Sequence, residues 1–336
     1  MRSNAKVTPD RIMQMGWGYT VPLIIAAAVK HGVFDALDES PRTVGQLARE
    51  TGTSERGLTA LLNALVGVEL LTRKGTRYSL VPESEDFLVS GKPGSLGGMF
   101  HHLTCDLMPK WLQLDEVVRT GKPAMAVNSE SDGSKFFAGF VKSIFPMSYP
   151  AARALGHHLG IAKSGAPVNV LDLAAGSGVW GIALAQQSPH VRLTAVDWPD
   201  VLKVTGEVIQ RHGLAERTTL LPGDLLKVNY GNGHNIATLG HILHSEGRVR
   251  SQRLLKKTFK ALSPGGTIAI GEFLVDPDRK GPPSSLLFAV NMLVNTHAGD
   301  TYSFKEISGW LRDAGFRKPR LVEVPGPSPL VLATKP

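Results

Sequence analysis

The chain has a single cysteine in 336 residues, Cys105, which excludes an internal disulfide and fits a reducing compartment, so a cytoplasmic location is expected. Long apolar runs are missing as well. The longest near the N-terminus, Val21 to Val29, falls far short of the roughly 20 residues a membrane helix needs, and no membrane partner is expected. It does not read as a secretory h-region, because mixed residues precede it and no small-residue cleavage site follows. The formal charge of +8 lacks clustering. Basic residues come in runs no longer than pairs such as Lys256-Lys257, which points to solvated surface charge and not to a nucleic-acid footprint. No repeat or low-complexity tract is visible, so solenoids drop out. With 42% hydrophobic and 20% charged residues, what remains is an ordinary globular composition, long enough for a large α/β domain plus a smaller partner.

From Val21 to Leu37 apolar residues recur at helical spacing, and Thr43 to Leu71 reads as two further helices broken at Gly52-Thr53. Ser54 ahead of Leu58, Leu61, Leu62 and Leu65 predicts a capped amphipathic helix. Leu70 to Arg73 and Arg77 to Leu80, flanking Lys74-Gly75-Thr76, predict a short hairpin. Together these make a winged-helix pattern. A DNA-reading helix needs several Arg, Lys, Asn or Gln contacts, and the helix from Ser54 has Arg56 as its one basic residue. Its apolar surface points to packing instead, including packing against a second subunit, with no nucleic-acid partner.

Residues Gly97 to Gly160 read as largely helical, interrupted by a loop-like polar stretch from Thr120 to Ser134. Beyond Ala166 short apolar strands alternate with helices: Val168 to Leu173, Val191 to Val196, Thr218 to Leu221, Ile236 to Leu239 and Thr267 to Phe273. That rhythm predicts an α/β fold with a parallel sheet whose ligands collect beyond the carboxyl ends of the strands. Arg320 to Val324 and Leu330 to Ala333, with no helix between, predict a closing pair that includes a terminal antiparallel strand.

After the first strand comes Asp172-Leu-Ala-Ala-Gly176-Ser-Gly178-Val-Trp-Gly181. Its glycines let a ligand approach the backbone, and alone they would also suit a dinucleotide. Asp172 separates the two readings, because a pyrophosphate is repelled by a carboxylate there whereas a cationic methionyl group is not. Asp197 follows the second strand, placed to accept both ribose hydroxyls. Gly223-Asp224-Leu225 follows the third, with a carboxylate for an adenine amino group and Leu225 beside the ring. Three acids after three successive strands favour S-adenosyl-L-methionine.

These motifs resemble the family of small-molecule O-methyltransferases that includes plant caffeic acid and bacterial polyketide and hydroxyneurosporene enzymes. The likeness takes in Val170 to Gly178, Val196-Asp197-Trp198-Pro199, Gly223 to Leu226, Ile242-Leu243-His244, Leu262-Ser263-Pro264-Gly265-Gly266 and Ala314-Gly315-Phe316. It implies a winged-helix-like dimerisation domain over 1–100 that forms a homodimer. A helical connector over 101–160 would contribute to the active site, and 161–336 would be a Rossmann-like methyltransferase domain. It further implies that Ser148 lies near the methionyl end, that Trp198 belongs to the cofactor site, and that Phe140, Met147, Phe288 and Met292 line the acceptor pocket.

A phenol near pKa 10 is a poor nucleophile at neutral pH, so a base within reach adds about 10²- to 10⁴-fold, and histidine suits the task. His244, after the fourth strand, resembles the family's base, and Glu272, after the fifth, its orienting carboxylate. A second family carboxylate falls on Thr301, and Ser245-Glu246 follows where aspartate is usual. His241 is expected in the core or on the sheet surface. His297 falls in the family's substrate-lining loop, which leaves open a metal held between His244 and His297, although no ligand spacing enforces one and no metal site is assigned. N- or C-methylation, or a noncatalytic relative that only binds the cofactor, are the alternatives to O-methylation at this point.

Overall fold

The computed structural model describes residues 7–336. The chain divides into two compact units, one ending at Pro109 and the other starting at Lys110, so the segment 101–160 is shared between them.

In the first unit, helices α1 (Asp10–Gly16), α2 (Thr20–Lys30) and α3 (Val33–Asp38) lead through strand β1 (Arg42–Thr43) into α4 (Val44–Thr51) and α5 (Glu55–Gly67). A capping box starts α4, with Thr43 Oγ1 accepting from Gln46 N and the Gln46 side chain accepting from Thr43 N. Gly52 stops it at a φ of 65°, a conformation that glycine adopts without penalty. Ser54 Oγ accepts from Gly57 N to cap α5, leaving Leu58, Leu62 and Leu65 buried on one helix face. Strands β2 (Leu71–Lys74) and β3 (Arg77–Leu80) form the wing, in the antiparallel order β1-β3-β2. Helices α6 (Pro82–Leu88) and α7 (Gly97–His101) follow, then a π-helical turn, His102–Leu107. The short apolar run expected near the N-terminus is corrected here. Together α1, α2 and the turn between them, Asp10–Lys30, are long and apolar enough, by length and composition, to cross a membrane, because Ile12, Met13, Met15 and Trp17 extend the run ahead of Val21. Those four side chains are exposed in the single chain.

Helix α8 (Met108–Trp111) spans the division. In the second unit α9 (Leu114–Thr120), α10 (Glu130–Phe140) and α11 (Phe145–His158) precede the sheet. Helix α10 begins inside the stretch expected as loop, since Ser and Glu serve a helix's first turn as readily as a coil. The strands are β4 (Val168–Leu173), β5 (Val191–Asp197), β6 (Thr218–Pro222), β7 (His234–Gly240), β8 (Leu262–Gly271), β9 (Arg317–Val322) and β10 (Leu330–Thr334), ordered β6-β5-β4-β7-β8-β10-β9. The first five are parallel. β10 runs antiparallel to both β8 and β9, so the antiparallel strand lies second from the edge.

The period of two along each strand divides the core. Val168, Val170, Leu193, Ile236, Leu330 and Leu332 pack on one face with residues of α11, α12 (Val179–Ala185) and α13 (Pro199–Arg211). Leu171, Leu173, Val196, Leu239, Ile268 and Val331 pack on the other with α14 (Leu243–Ala261) and α16 (Phe304–Asp313). Helix α15 (Pro283–Asn295) lies between these last two in sequence. Strand order reverses between β4 and β7, which opens a crevice beyond their carboxyl ends.

Candidate active site

The turn from β4 into α12 is held open by left-handed residues. Ala174, Gly176 and Gly178 have φ of 54°, 57° and 77°; the two glycines take this freely, and Ala174 carries the strain of its Cβ. Asp172 lies beneath the turn, wholly buried. It accepts hydrogen bonds from Thr238 Oγ1 at 2.7 Å and Gly181 N at 3.1 Å. With no cation beside it, burial pushes its pKa up to about 7, against the pull of these two donors. Asp172 therefore pins the start of α12 and presents no free carboxylate to the crevice.

Asp197, the last residue of β5, accepts from Gly176 N at 2.8 Å and Trp198 N at 2.7 Å. Burial pushes its pKa up to about 6 although both N–H groups oppose the shift. The Asp197 carbonyl accepts from Gly223 N at 2.9 Å, which draws the loop carrying Asp224 and Leu225 alongside. Trp198 packs 6.2 Å from Phe137 of α10, and its ring leaves no room for a Cβ on Gly133. A Cβ on Gly176 would sit 3.4 Å from Val141. The end of α10 thus lies over this part of the crevice.

At the far side His244 sits in the first turn of α14, 8% exposed. Its Nδ1 lies 2.8 Å from Glu272 Oε2, and its backbone N–H donates to Glu272 Oε1 at 3.2 Å. A carboxylate only accepts, so this pairing assigns the hydrogen to Nδ1 and leaves the Nε2 lone pair free. Glu272 is buried, which alone would raise its pKa, but attraction and hydrogen bonding from His244 hold it below the ordinary value. Phe288 meets the His244 ring edge-on at 4.9 Å, and Phe273 lies 4.4 Å from Phe288. Behind His244, Asp300 N donates to its carbonyl at 2.9 Å. Gly247 and Gly299 admit this loop because a Cβ on either would collide with Ala298 or with the His244 carbonyl.

The remaining expected residues spread around this frame. Ser148 and Met147 are half-buried in the first turn of α11, and the Met147 carbonyl lies against Gly326 of the β9–β10 loop. Met292 is buried in α15. Phe140 ends α10, its ring 6.4 Å from Phe136. His297 is exposed. Among the described residues no group of three or more His, Cys, Asp or Glu side chains is arranged to hold a metal ion. Thr301 is fully buried and its hydroxyl has no hydrogen-bond partner among the described residues.

Two further side chains shape these strand ends: Trp180, which sequence reasoning passed over, and His241, which it expected in the core or on the sheet surface. The Trp180 indole lies across the ends of β7 and β8, where a Cβ on Gly240 would collide with it and one on Gly271 would come within 3.2 Å. Small residues at two adjacent strand ends opposite a bulky one were the available signal. His241, at a φ of 61°, bonds Ser328 Oγ through Nε2 at 3.1 Å and packs 4.9 Å from Phe273. Burial pushes its pKa down to about 4, so it is neutral at physiological pH.

Comparison with known proteins gives this geometry its family. Residues 165–317 match the profile of an O-methyltransferase domain, and residues 13–90 that of an O-methyltransferase dimerisation domain. The chain is 31% identical to the 3-hydroxy-5-methyl-1-naphthoate 3-O-methyltransferase of Streptomyces sahachiroi, across 95% of this chain and 92% of that one. It is 29% identical to the tetracenomycin polyketide synthesis 8-O-methyltransferase of Streptomyces glaucescens, across 98% and 97%. The crystal structure of a candidate O-methyltransferase from Nostoc punctiforme matches with a TM-score of 0.90 at 28% identity, across 98% and 100% of the two chains.

The chain belongs to the S-adenosylmethionine-dependent O-methyltransferase family. It is an O-methyltransferase that uses S-adenosyl-L-methionine, and its first unit carries the family's dimerisation domain. The methyltransferase sheet also has the expected character, parallel with an antiparallel strand late in the chain.

Proposed function

We propose that this methyltransferase moves a methyl group to a hydroxyl of a small aromatic or polyketide-like molecule, with His244 as general base and Glu272 as the group that orients it. The observation that carries the reading is the buried His244–Glu272 pair, 2.8 Å apart, at the strand ends where the acceptor must lie. Relatives named for a naphthoate and a tetracenomycin polyketide support the substrate class.

The residues of the crevice fit the cofactor. Ser177 Oγ is buried in the glycine turn without a partner among the described residues, and Asp197 and Asp224 stand at successive strand ends. Gly176 and Gly178 would let the cofactor approach the backbone. Asp197 and Trp198 would hold the ribose region, Asp224 and Leu225 the adenine, and Ser148 the methionyl end, while Asp172 braces the turn from beneath. Bound S-adenosylmethionine supplies a methyl group on a positively charged sulfur. His244 Nε2 takes the hydroxyl proton as the acceptor oxygen attacks, and Glu272 stabilises the imidazolium that results. Phe288, Phe273, Met292, Met147 and Phe140 offer apolar and sulfur-bearing walls suited to a flat ring.

His244→Ala is expected to lower turnover of hydroxynaphthoate and anthraquinone phenols about 10²- to 10⁴-fold while leaving S-adenosylhomocysteine affinity unchanged. Turnover retained within a few-fold would point to an amine or carbon acceptor.

We further infer that the enzyme works in the cytoplasm as a homodimer, with neither nucleic acid nor membrane as a partner. The exposed apolar side chains of α1 support it, Ile12 at 73% and Trp17 at 63%, together with the dimerisation-domain match. Light scattering should give twice the chain mass for the wild type and a monomer for Ile12→Glu with Trp17→Glu. Co-flotation of the wild type with lipid vesicles would overturn the soluble reading.

A further inference from the structure

Helix α14 carries His244 at its head and, further along, a face turned to the loop that follows β6. Arg250 Nη2 donates to Asp224 Oδ2 at 3.1 Å, and Arg250 Nε donates to Glu246 Oε2 at 2.6 Å. Asp224 Oδ1 accepts from Leu226 N at 2.7 Å. About two turns beyond Arg250, Lys257 Nζ donates to the Leu225 carbonyl at 2.8 Å and to the Val228 carbonyl, and Tyr230 OH donates to the Leu225 carbonyl too. One helix therefore fixes both the carboxylate and the backbone of this loop.

The Glu246 side chain is nearly sealed, at 5% exposure, and that of Asp224 is 21% exposed. Burial pushes the Glu246 pKa up, and neighbouring Asp224 adds to the shift against the pull of Arg250. Asp224 is also raised by partial burial, but the Leu226 N–H and Arg250 bring it below its ordinary value. Both carboxylates bind the one Arg250 guanidinium, whose positive charge favours the ionised form of each. A protonated Asp224 would present a donor as well as acceptors.

We propose that Arg250, braced by Glu246, is a positioning residue that keeps Asp224 as an acceptor-only group toward the purine edge, so that this enzyme selects a 6-amino purine over a 6-oxo purine in its cofactor. The inference rests on the reading above that Asp224 faces the adenine. That reading draws on the Gly223 N–H to Asp197 carbonyl bond, which sets the β6 loop beside the ribose carboxylate. An exocyclic amine donates to an acceptor-only carboxylate, whereas a 6-oxo group turns a lone pair toward it.

The test is calorimetric titration of the full-length protein with S-adenosylhomocysteine and with S-inosylhomocysteine, its 6-oxo counterpart. The wild type should prefer the adenine form about tenfold, the factor one charge-assisted hydrogen bond carries. In Arg250→Met the adenine form should lose about that factor while the 6-oxo form stays within about twofold. Arg250→Lys should recover part of the preference, and Glu246→Gln should fall between. Arg250 is 38% exposed, and a thermal melt checks that each variant is folded. A wild-type preference retained in Arg250→Met, or equal weakening of both ligands, overturns the proposal. Equal wild-type affinity for the two ligands, with both lost in Asp197→Ala, removes adenine selection but keeps the cofactor site. Wild-type binding of neither ligand would instead bring down the cofactor reading itself.

Discussion

Glu272 lies one residue beyond the end of β8 and Asp172 one residue before the end of β4, both shut away from solvent, yet their surroundings differ. Glu272 faces an imidazole and stays acidic. Asp172 meets only neutral donors, and burial lifts its pKa to about 7. A buried carboxylate paired with a base is a standing negative charge that can stabilise a nearby cation. One held by a hydroxyl and an amide is a geometric brace that takes up a proton near neutrality. The reacting end of the site is built on the first arrangement and the cofactor turn on the second.

The sharpest way to break this contrast is Glu272→Gln. An amide in place of the carboxylate no longer favours the imidazolium or the Nδ1–H tautomer, so kcat should fall about 10²-fold or more, with S-adenosylhomocysteine affinity held within about twofold. A kcat within a few-fold of wild type would make the pair structural. Next comes the piece of packing that joins the two regions, Trp180 over Gly240. Gly240→Val forces the indole off the strand ends, and urea unfolding should show a loss of about 2–3 kcal/mol. Asp197→Ala should weaken S-adenosylhomocysteine about tenfold to hundredfold, measured by titration, while Asp172→Asn, which keeps the shape of the brace, should cost far less.

The smallest effect is in the pH dependence of stability. Between about pH 4 and about 7 the folded protein keeps a proton on Asp172 that the unfolded chain releases. Its stabilising contribution is therefore complete below that range and is lost as pH rises through it. Asp197 adds the same slope up to about pH 6, and Glu272 the opposite one, since its lowered pKa contributes stability that is lost on acidification. The melting temperature of the ligand-free protein should fall by a few degrees from pH 5 to 7.5, and Asp172→Asn should flatten that decline. An unchanged slope in the variant would show that Asp172 is ionised throughout.

Local chemistry made much of this legible beforehand. Thr43, Gly52 and Ser54 mark helix ends because their preferences act within a few residues, and the alternating strands beyond Ala166 announce the sheet. The His244 motif pointed to the strand end where the histidine is found. Contacts closed over long separations were not legible. Nothing near Asp172 points to Thr238, which holds it from the neighbouring strand, and nothing near Asp224 points to Arg250. β8 starts at Leu262, but its register against β7 jumps from Leu262 to Thr267; Pro264-Gly265-Gly266 bulge out with Gly265 at a φ of 78°, a turn preference kept inside the strand, whose start therefore could not be read locally.

The place of β10 bears on the order in which the molecule assembles. Among the described residues β9 hydrogen-bonds to the sheet through β10 alone, so its place in the sheet waits until β10 has threaded in beside β8. The five parallel strands, with the glycine turn among them, have no such dependence. Pulse-labelled hydrogen exchange during refolding should therefore find amides of β4, β5 and β7 protected before those of β9, with β9 and β10 gaining protection in the same kinetic phase.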